Sequence, residues 1–166
     1  DVSALANCAT LHTLDVGSTS VTDVSPLTGC ASLHTLVVSF SKGLTDVSAL
    51  AGCPALRVLD INNTGVVALA NFAALHELNL RGTEVTDVSA LGSCTALHTL
   101  DLACVLISDV SALAGCASLC ELDLSHCTEV TDVSALAFCA ELHTLDLTDC
   151  TEVTDVSALA GCASLH

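Results

Sequence analysis

The sequence has very few aromatic residues and very little positive charge. Of 166 residues, 2% are aromatic, and Trp, Tyr and Met are absent. Only 3 Lys and Arg oppose 19 Asp and Glu, which gives a formal net charge of −16. Because nucleic-acid binding begins with basic side chains displacing counterions, we expect no nucleic acid and no anionic membrane surface as a partner. No apolar run approaches the roughly 18 residues of a membrane-spanning helix.

What the chain does contain is one short unit repeated about eight times. The interior must be uniform, since the 52% hydrophobic content is supplied almost entirely by Leu, Val, Ala and Cys. The eight anchoring leucines are 22 or 23 residues apart, except for a 19-residue step from Leu50 to Leu69. No linker interrupts the repeats, so residues 1–166 are predicted to form a single domain. The phrase Asp-Val-Ser-Ala-Leu begins at Asp1, Asp46, Asp87, Asp109, Asp132 and Asp155, with a Pro variant at Asp23.

Each unit predicts a short strand followed by a helical turn. In the segment from Leu142 to Leu147, leucines alternate with polar residues, which indicates a strand with one buried face. The following apolar spacing fits one turn of 3₁₀ or α helix, and Asp155 precedes it where a carboxylate can act as an N-cap. Strand and turn repeated in one direction stack only as a parallel coil, in which each rung becomes stable against the next.

These residues resemble the leucine-rich-repeat family. The pattern Leu-x-x-Leu-x-Leu-x-x-Cys, followed by Val-Thr-Asp-Val-Ser-Ala-Leu, is similar to the 22–23-residue internalin and phosphatase-regulator subclass, and most similar to the Cys-containing repeats of trypanosomatid proteins. The resemblance covers the whole chain. It implies an α/β right-handed solenoid with a parallel sheet on the concave face, short 3₁₀ or α turns on the convex face, and protein recognition as the role.

Two features depart from that family pattern. The family commonly places Asn at the bend after the strand, where this chain has hydroxyls, thiols and one valine, so we expect water or displaced backbone partners there. The short rung also has Phe72 where other rungs have Cys; we expect the ring to fill the missing volume and the coil to kink locally. The bend residues are Thr19, Ser41, Thr64, Thr83, Val105, Cys127 and Cys150.

The eleven cysteines fall mainly into two columns rather than into a pairing scheme. Seven share one inward position and two share the bend, where thiols act as small apolar groups. Neighbouring rungs lie within disulfide reach, so bridges remain possible, but we favour free thiols and therefore a reducing, cytoplasmic compartment. The inward column consists of Cys8, Cys30, Cys53, Cys94, Cys116, Cys139 and Cys162.

Cys104 and Cys120 lie outside these columns and raise two hypotheses. His98, Cys120 and His143 follow one another along the sheet edge and could bind zinc, although ligands spaced in a line by about 4.8 Å converge poorly. Cys104, His126 and Asp149 read as a nucleophile, a base and an orienting acid. An open face offers no oxyanion pocket and no closed site, so we expect no enzyme, no cofactor and no resident metal.

The last residue of each strand faces outward, and in successive strands these residues form a mostly acidic column. Its last three members, Asp101, Asp123 and Asp146, are predicted to lie side by side at about 4.8 Å, where like charges repel by roughly 3 kcal/mol per pair in an intermediate dielectric. Glu121 and Asp149 lie close by, and nothing within the rungs is expected to offset the repulsion. All three aspartates should therefore have raised pKa values. The full column is Asp15, Val37, Asp60, Asn79, Asp101, Asp123 and Asp146.

These columns predict a recognition module rather than an enzyme. A basic protein or peptide docking on the concave face would relieve the repulsion among the acids, whereas a simpler explanation is that acid only keeps an apolar-rich chain soluble. Val37, Phe40 and Val58 are predicted to form an exposed apolar patch on the N-terminal rungs. Phe138 is predicted to point outward on the convex turns, away from that patch. A structural spacer without a site and the metal-binding edge stay open as two further hypotheses. Neither end has the polar cap that solenoids need, so we expect a fragment of a longer chain.

Overall fold

A computed structural model describes all residues from Asp1 to His166. Seven three-residue strands form one parallel sheet in chain order, so each strand is hydrogen-bonded to the next along the sequence. The predicted solenoid of parallel strands and short turns is confirmed. The strands are β1 (Thr13–Asp15), β2 (Thr35–Val37), β3 (Val58–Asp60), β4 (Glu77–Asn79), β5 (Thr99–Asp101), β6 (Glu121–Asp123) and β7 (Thr144–Asp146).

The central residue of each strand is a leucine that points inward, and these leucines are paired in register, as Leu100 is with Leu122. Together with the turn residues they form one continuous core of 43 buried residues. Burial weakens toward both ends, where Leu14 in β1 and Leu145 in β7 are only partly buried. Each rung is therefore kept dry by its two neighbours, and the first and last rungs have only one.

Short 3₁₀ turns cover the side of the coil opposite the sheet. None of these helical segments has both the length and the apolar character that spanning a membrane requires. An aspartate begins each turn: the Asp155 carboxylate accepts the Ser157 amide at 2.8 Å. The predicted capping interaction is confirmed, but it comes from one residue before the capping position, which Val156 occupies. The turns are η1 (Ser3–Leu5), η2 (Ser25–Gly29), η3 (Ser48–Gly52), η4 (Ser89–Ser93), η5 (Ser111–Gly115), η6 (Ser134–Phe138) and η7 (Ser157–Gly161).

The short rung between β3 and β4 has no 3₁₀ turn. Phe72 takes the inward cysteine position and is 4% exposed, as its place in the repeat predicts. A cleft of about 290 Å³ lies beside the ring, with Leu50, Pro54 and Phe72 among its walls. The expectation that Phe72 fills the volume of the missing residues stays a prediction.

The inward cysteines hold neighbouring rungs together by hydrogen bonds. Every thiol of the column except Cys8 donates to a carbonyl one rung earlier, as Cys116 does to Leu91 at 3.3 Å and Cys162 to Leu136 at 3.2 Å. All eleven cysteines are free thiols. Burial raises the pKa of Cys116 to about 12, so this thiol stays protonated and remains a donor.

At the bend, threonine hydroxyls and thiols use different partners. Thr83 donates from its hydroxyl to the Leu80 carbonyl of its own rung at 2.7 Å. Val105 has no donor side chain. In its place, the Cys127 thiol of the next rung donates to the Leu102 carbonyl at 3.1 Å. Leu102 also accepts the Val105 amide. This is the displaced partner expected where the family's asparagine is missing.

Candidate functional site

The strand-end residues form one row across the sheet. Asp101 is paired in register with Asp123, and Asp123 with Asp146, so the predicted alignment is confirmed. Asp101 and Asp123 are half-buried, whereas Asp146 is exposed. The row is therefore uniform in backbone geometry but not in its contact with water.

Each strand-end carboxylate also has a structural role that sequence reasoning missed. One oxygen of Asp101 accepts the Ala103 amide at 2.9 Å, and Asp146 accepts the Thr148 amide at 2.7 Å. The residue after that amide has a positive φ; Cys104, for example, has φ 59°. The side chain thus stabilises the bend in which the chain leaves the strand. The signal was present in the sequence, since Asp and Asn are the residues that favour such turns.

Asn79 shows that this structural role needs an oxygen but not a charge. Its side-chain oxygen accepts the Arg81 amide at 3.0 Å, in the same way as the aspartates at the other strand ends. An Asp-to-Asn change in this row can therefore remove charge while keeping the bend.

The pKa shifts of Asp101, in the middle of the sheet, and Asp146, in the last strand, have opposite directions. Burial raises the pKa of Asp101, and the nearby charges of Asp123 and Asp60 act in the same direction, against the Ala103 amide and Arg81. The predicted direction for Asp101 agrees, but burial and not repulsion within the row is the largest cause. The prediction for Asp146 is wrong: its pKa is lowered, first by the Thr148 hydroxyl and amide and then by His126. Repulsion within the row is too weak at an exposed position to outweigh these donors.

Arg81 opposes the acids, contrary to the expectation that nothing in the rungs offsets the repulsion. Arg81 extends from the end of β4 past β5 to β6, where its Nη1 lies 3.7 Å from Asp123 Oδ2. At the far end, His126 Nδ1 lies 3.1 Å from Asp149 Oδ2. The sequence places Arg81 in the bend two residues after Asn79, but it does not give the reach of the side chain across two strands.

The remaining predicted acids lie on either side of the row. Glu121 is exposed at the first position of β6, two residues before Asp123 and on the same face of the strand. Asp149 lies beyond β7 in the bend, where its φ is 58°, and not on the strand face. The structure therefore places Glu121 with the row and gives Asp149 a partner in His126.

The predicted apolar patch is only partly assembled. Val37 and Val58 are half-buried and line one shallow groove of about 320 Å³, together with Asp60, Glu77 and Asp101. Phe40 does not line this groove; it occupies a bend at φ 58° and is 58% exposed. A bulky residue rarely adopts this backbone conformation. The groove is therefore lined by two valines and by residues of the acidic row, and Phe40 lies outside the groove.

The three residues of the metal hypothesis, His98, Cys120 and His143, do not form a ligand cluster. The Cys120 thiol donates to the Ser118 carbonyl at 3.4 Å, and the two histidines bond within their own rungs. No group of three or more His, Cys, Asp or Glu side chains is placed to hold a metal ion. The zinc hypothesis for these three residues therefore gains no geometric support.

Of the three residues in the hypothetical triad, two are in contact in the structure. His126 and Asp149 make the base–acid contact described above, with side chains 49% and 63% exposed. Cys104 lies one rung earlier at the same bend position, with an exposed thiol. The row is open to water, which differs from the enclosed setting that nucleophilic catalysis uses.

Two models of known protein families match the middle of the chain. A model described as "Leucine Rich repeats (2 copies)" matches residues 73–115, and one described as "Leucine Rich repeat" matches residues 115–139. No curated protein sequence matches the chain significantly.

Solved structures share the fold over nearly the full length of the chain. An internalin, InlF from Listeria monocytogenes, is 26% identical with a TM-score of 0.86; the alignment covers 100% of this chain and 56% of the internalin. The plant peptide hormone receptor RGFR1, solved with RGF2, is 20% identical with a TM-score of 0.68, covering 88% of this chain and 26% of the receptor. TLR13, solved with ssRNA13, is 15% identical with a TM-score of 0.77, covering 98% and 29%. The chain therefore spans about half or less of each of these proteins.

Proposed function

The chain is a leucine-rich-repeat protein, and from that premise we propose that the open face of its sheet binds a basic protein or peptide. Leucine-rich repeats are protein-interaction modules, and the fold itself makes an extended surface available. The observation that carries the finer proposal is the state of Asp101. Its carboxylate is half-buried beside Asp123 and Asp60, and its pKa is raised. A cation bound there would relieve an existing electrostatic cost.

Arg81 supports the proposal from within the chain. Its guanidinium crosses the row past Asp101 and approaches Asp123 at 3.7 Å. A positive group of this size therefore fits against the sheet face. One arginine leaves most of the acids on this face without a basic partner, since the chain has only 3 Lys and Arg in all.

The groove beside the row suggests the chemistry of the bound group. Its walls combine the aliphatic surface of Val37 and Val58 with the carboxylates of Asp60, Glu77 and Asp101. Lys and Arg present an aliphatic stem and a charged head, which matches such a mixed lining. Val37 and Val58 would contact the stem, and the acids would contact the head.

The other partner and function classes are less well supported. The TLR13 complex contains RNA, but this chain carries 19 acids against 3 bases, which repels a phosphate backbone. We assign no catalysis to Cys104, His126 and Asp149, because their side chains are open to water. We retain a reducing compartment as part of the proposal, since it would keep the eleven thiols free.

The test compares two triple variants that lose the same charge on opposite sides of the coil. Asp101→Asn, Asp123→Asn and Asp146→Asn together neutralise the strand-end row, and Asn79 indicates that asparagine keeps the bend. Asp23→Asn, Asp46→Asn and Asp87→Asn neutralise three turns. The probe is a short fluorescent peptide of alternating arginine and alanine, with a glutamate version as the control, and binding is measured by anisotropy.

We expect the strand-end variant to bind the arginine peptide at least about tenfold more weakly, while the turn variant binds nearly as well as the unmodified chain at physiological salt. Equal losses in both variants would mean attraction to net charge alone. Binding that is unchanged in the strand-end variant, or absent from the start, would favour a structural spacer without a site.

A further inference from the structure

Arg57 is a half-buried arginine at the edge where the strands begin, and backbone carbonyls hold its side chain. Its Nη1 donates to the Pro54 carbonyl at 3.1 Å and to the Leu56 carbonyl at 3.0 Å. These bonds use the nitrogen on the same side as Cδ and restrict the orientation of the guanidinium. The parallel N–H groups of Nε and Nη2 make no hydrogen bond within the chain, so this fork of donors is free.

No carboxylate of the chain forms an ion pair with Arg57, although the sequence has 19 Asp and Glu. The other arginine differs, since Arg81 Nη1 lies 3.7 Å from Asp123 Oδ2. A partly buried guanidinium without a counter-ion has lost some of its hydration and has gained no charge partner in return. An incoming anion would offset that cost.

Histidines flank Arg57 on both neighbouring rungs. The Arg57 amide donates to the His34 carbonyl at 2.9 Å, and the His76 amide donates to the Arg57 carbonyl at 2.7 Å. Together with Val58 and Glu77, these three residues line a shallow pocket of about 310 Å³. A histidine side chain is neutral or positive, so neither neighbour competes with a bound anion as a carboxylate would. Glu77 is the one acid of the lining, and it is exposed.

The geometry of the free fork favours a carboxylate as the anion. Two parallel N–H donors match the two oxygens of a carboxylate, which gives a bidentate contact. A phosphate dianion would be repelled more strongly by Glu77 and by the net charge of −16. We propose that Arg57 binds the carboxylate of an Asp or Glu side chain of a bound peptide, in the pocket between His34 and His76.

This pocket adjoins the groove that is proposed to hold a basic side chain. Val58 and Glu77 line both. Arg57 precedes Asp60 by three residues, which is about 10 Å along the strand. One peptide can therefore place a basic side chain in the groove and an acidic side chain at Arg57. In this respect the inference rests on the proposed function, and it adds that the partner carries both charges.

The first test does not depend on the groove. The Nε–H signals of Arg57 and Arg81 are followed by ¹⁵N NMR while sodium acetate replaces sodium chloride at constant ionic strength. We expect the Arg57 signal to move at least about twice as far as that of Arg81, whose guanidinium already has an acidic partner. Equal shifts, or none at Arg57, would overturn the inference. A larger shift with sodium phosphate would overturn the choice of a carboxylate.

The second test uses the fluorescent peptide of alternating arginine and alanine, with each alanine replaced in turn by glutamate or by glutamine. Net charge alone predicts that every glutamate peptide binds the acidic chain more weakly than its glutamine counterpart. We expect the reverse at one position or more, with the glutamate peptide binding about three- to fivefold more tightly. Arg57→Gln should abolish that preference, and Lys42→Gln, which removes the same charge elsewhere, should keep it. Circular dichroism verifies that both variants remain folded.

The outcomes separate this inference from the proposed function. Weaker binding of the glutamate peptide at every position, or a preference that survives in Arg57→Gln, would overturn the role of Arg57 while leaving the acidic row intact. Failure of all the arginine peptides to bind would instead count against the proposed function. The acetate titration then decides by itself whether Arg57 binds a carboxylate.

Discussion

The middle rungs and the last rung have the same repeat sequence but differ in the burial and the pKa of equivalent residues. In β5, Leu100 is fully buried, and Asp101 is half-buried with a raised pKa. In β7, the equivalent Leu145 is partly buried, and Asp146 is exposed with a lowered pKa. The sequence of both strands is Thr-Leu-Asp, so the difference does not come from the strand itself.

The difference comes from the rungs on either side and from the residue two positions after the aspartate, Ala103 in one rung and Thr148 in the other. Asp101 lies between two further rungs, which remove water and bring the charges of Asp123 and Asp60 near. Asp146 has no strand beyond it, and Thr148 donates both an amide and a hydroxyl to its carboxylate. In a solenoid, neighbouring rungs therefore decide the chemistry of a residue as much as its own rung does.

The largest expected contrast concerns thiol reactivity. Cys116 in the middle and Cys162 in the last turn occupy the same position, but only Cys116 is covered by rungs on both sides. The last rung can open locally, whereas exposing Cys116 requires most of the coil to open. In a native-state reaction with a thiol-specific disulfide reagent, followed by mass spectrometry, Cys162 should react about 100-fold faster or more. Similar rates would mean that the coil opens as one unit.

Core truncation should show the same contrast in stability. Leu100→Ala removes a fully buried side chain, for which a loss of about 3 to 4 kcal/mol in the free energy of unfolding is typical. Leu145→Ala acts on a partly buried leucine in the last strand and should cost less than half as much. Urea denaturation of both variants measures the difference. Equal losses would contradict the view that the last rung contributes less to the core.

At Asp101, charge and hydrogen bonding should have opposite effects. Because the folded pKa is raised, the folded chain binds more protons between the unfolded value of about 3.9 and the folded value, so stability falls as pH rises through that window. Asp101→Asn removes this penalty and keeps an oxygen for the Ala103 amide, so its stability at pH 7 should equal or exceed that of the unmodified chain. Asp101→Ala loses the oxygen and should cost about 1 kcal/mol. A destabilising Asp101→Asn would show that the charge itself is favourable.

The pH dependence should reverse at Asp146. Its lowered pKa means that its contribution is present above the unfolded value of about 3.9 and is lost as pH falls through the folded value. Asp146→Asn should therefore flatten the acid limb of the stability curve, whereas Asp101→Asn should flatten the decline above pH 3.9. Thermal unfolding between pH 2 and 7 separates the two. Identical curves would remove the distinction between middle and last rungs.

The smallest expected effect concerns Arg81. Its contact with Asp123 is a partly exposed pair, and such pairs contribute about 0 to 1 kcal/mol. If Arg81 occupies part of the surface that a basic partner uses, Arg81→Gln should tighten binding of the arginine peptide by about two- to fivefold. Lys42→Gln removes the same charge elsewhere on the chain and serves as the control. The same affinity in Arg81→Gln and Lys42→Gln would place Arg81 outside that surface, and weaker binding in Arg81→Gln would contradict the idea that it competes with the partner.

Much of this architecture could be predicted because the repeat fixes the register. The row from Asp101 to Asp146, the inward column that includes Cys116, and the place of Phe72 all follow from counting residues between leucines. The likeness to trypanosomatid repeats and the kink at the short rung stay predictions.

What the register could not provide is the direction and partner of each side chain. The second role of the strand-end aspartates depends on the bend that follows them, and the pKa of Asp146 depends on the Thr148 hydroxyl. Arg81 reaches across two strands, which a rung-by-rung reading does not consider.

The central claim is that the middle of the acidic row lacks sufficient positive charge, and it can be tested through the carboxylates themselves. A ¹³C NMR titration would measure the pKa of Asp101 and Asp146 in the free chain and with saturating arginine peptide. We expect Asp101 to titrate above the ordinary value of 3.8 and Asp146 below it, and the pKa of Asp101 to fall when the peptide binds. An Asp101 pKa at or below 3.8 in the free chain, or one that the bound peptide leaves unchanged, would contradict the claim.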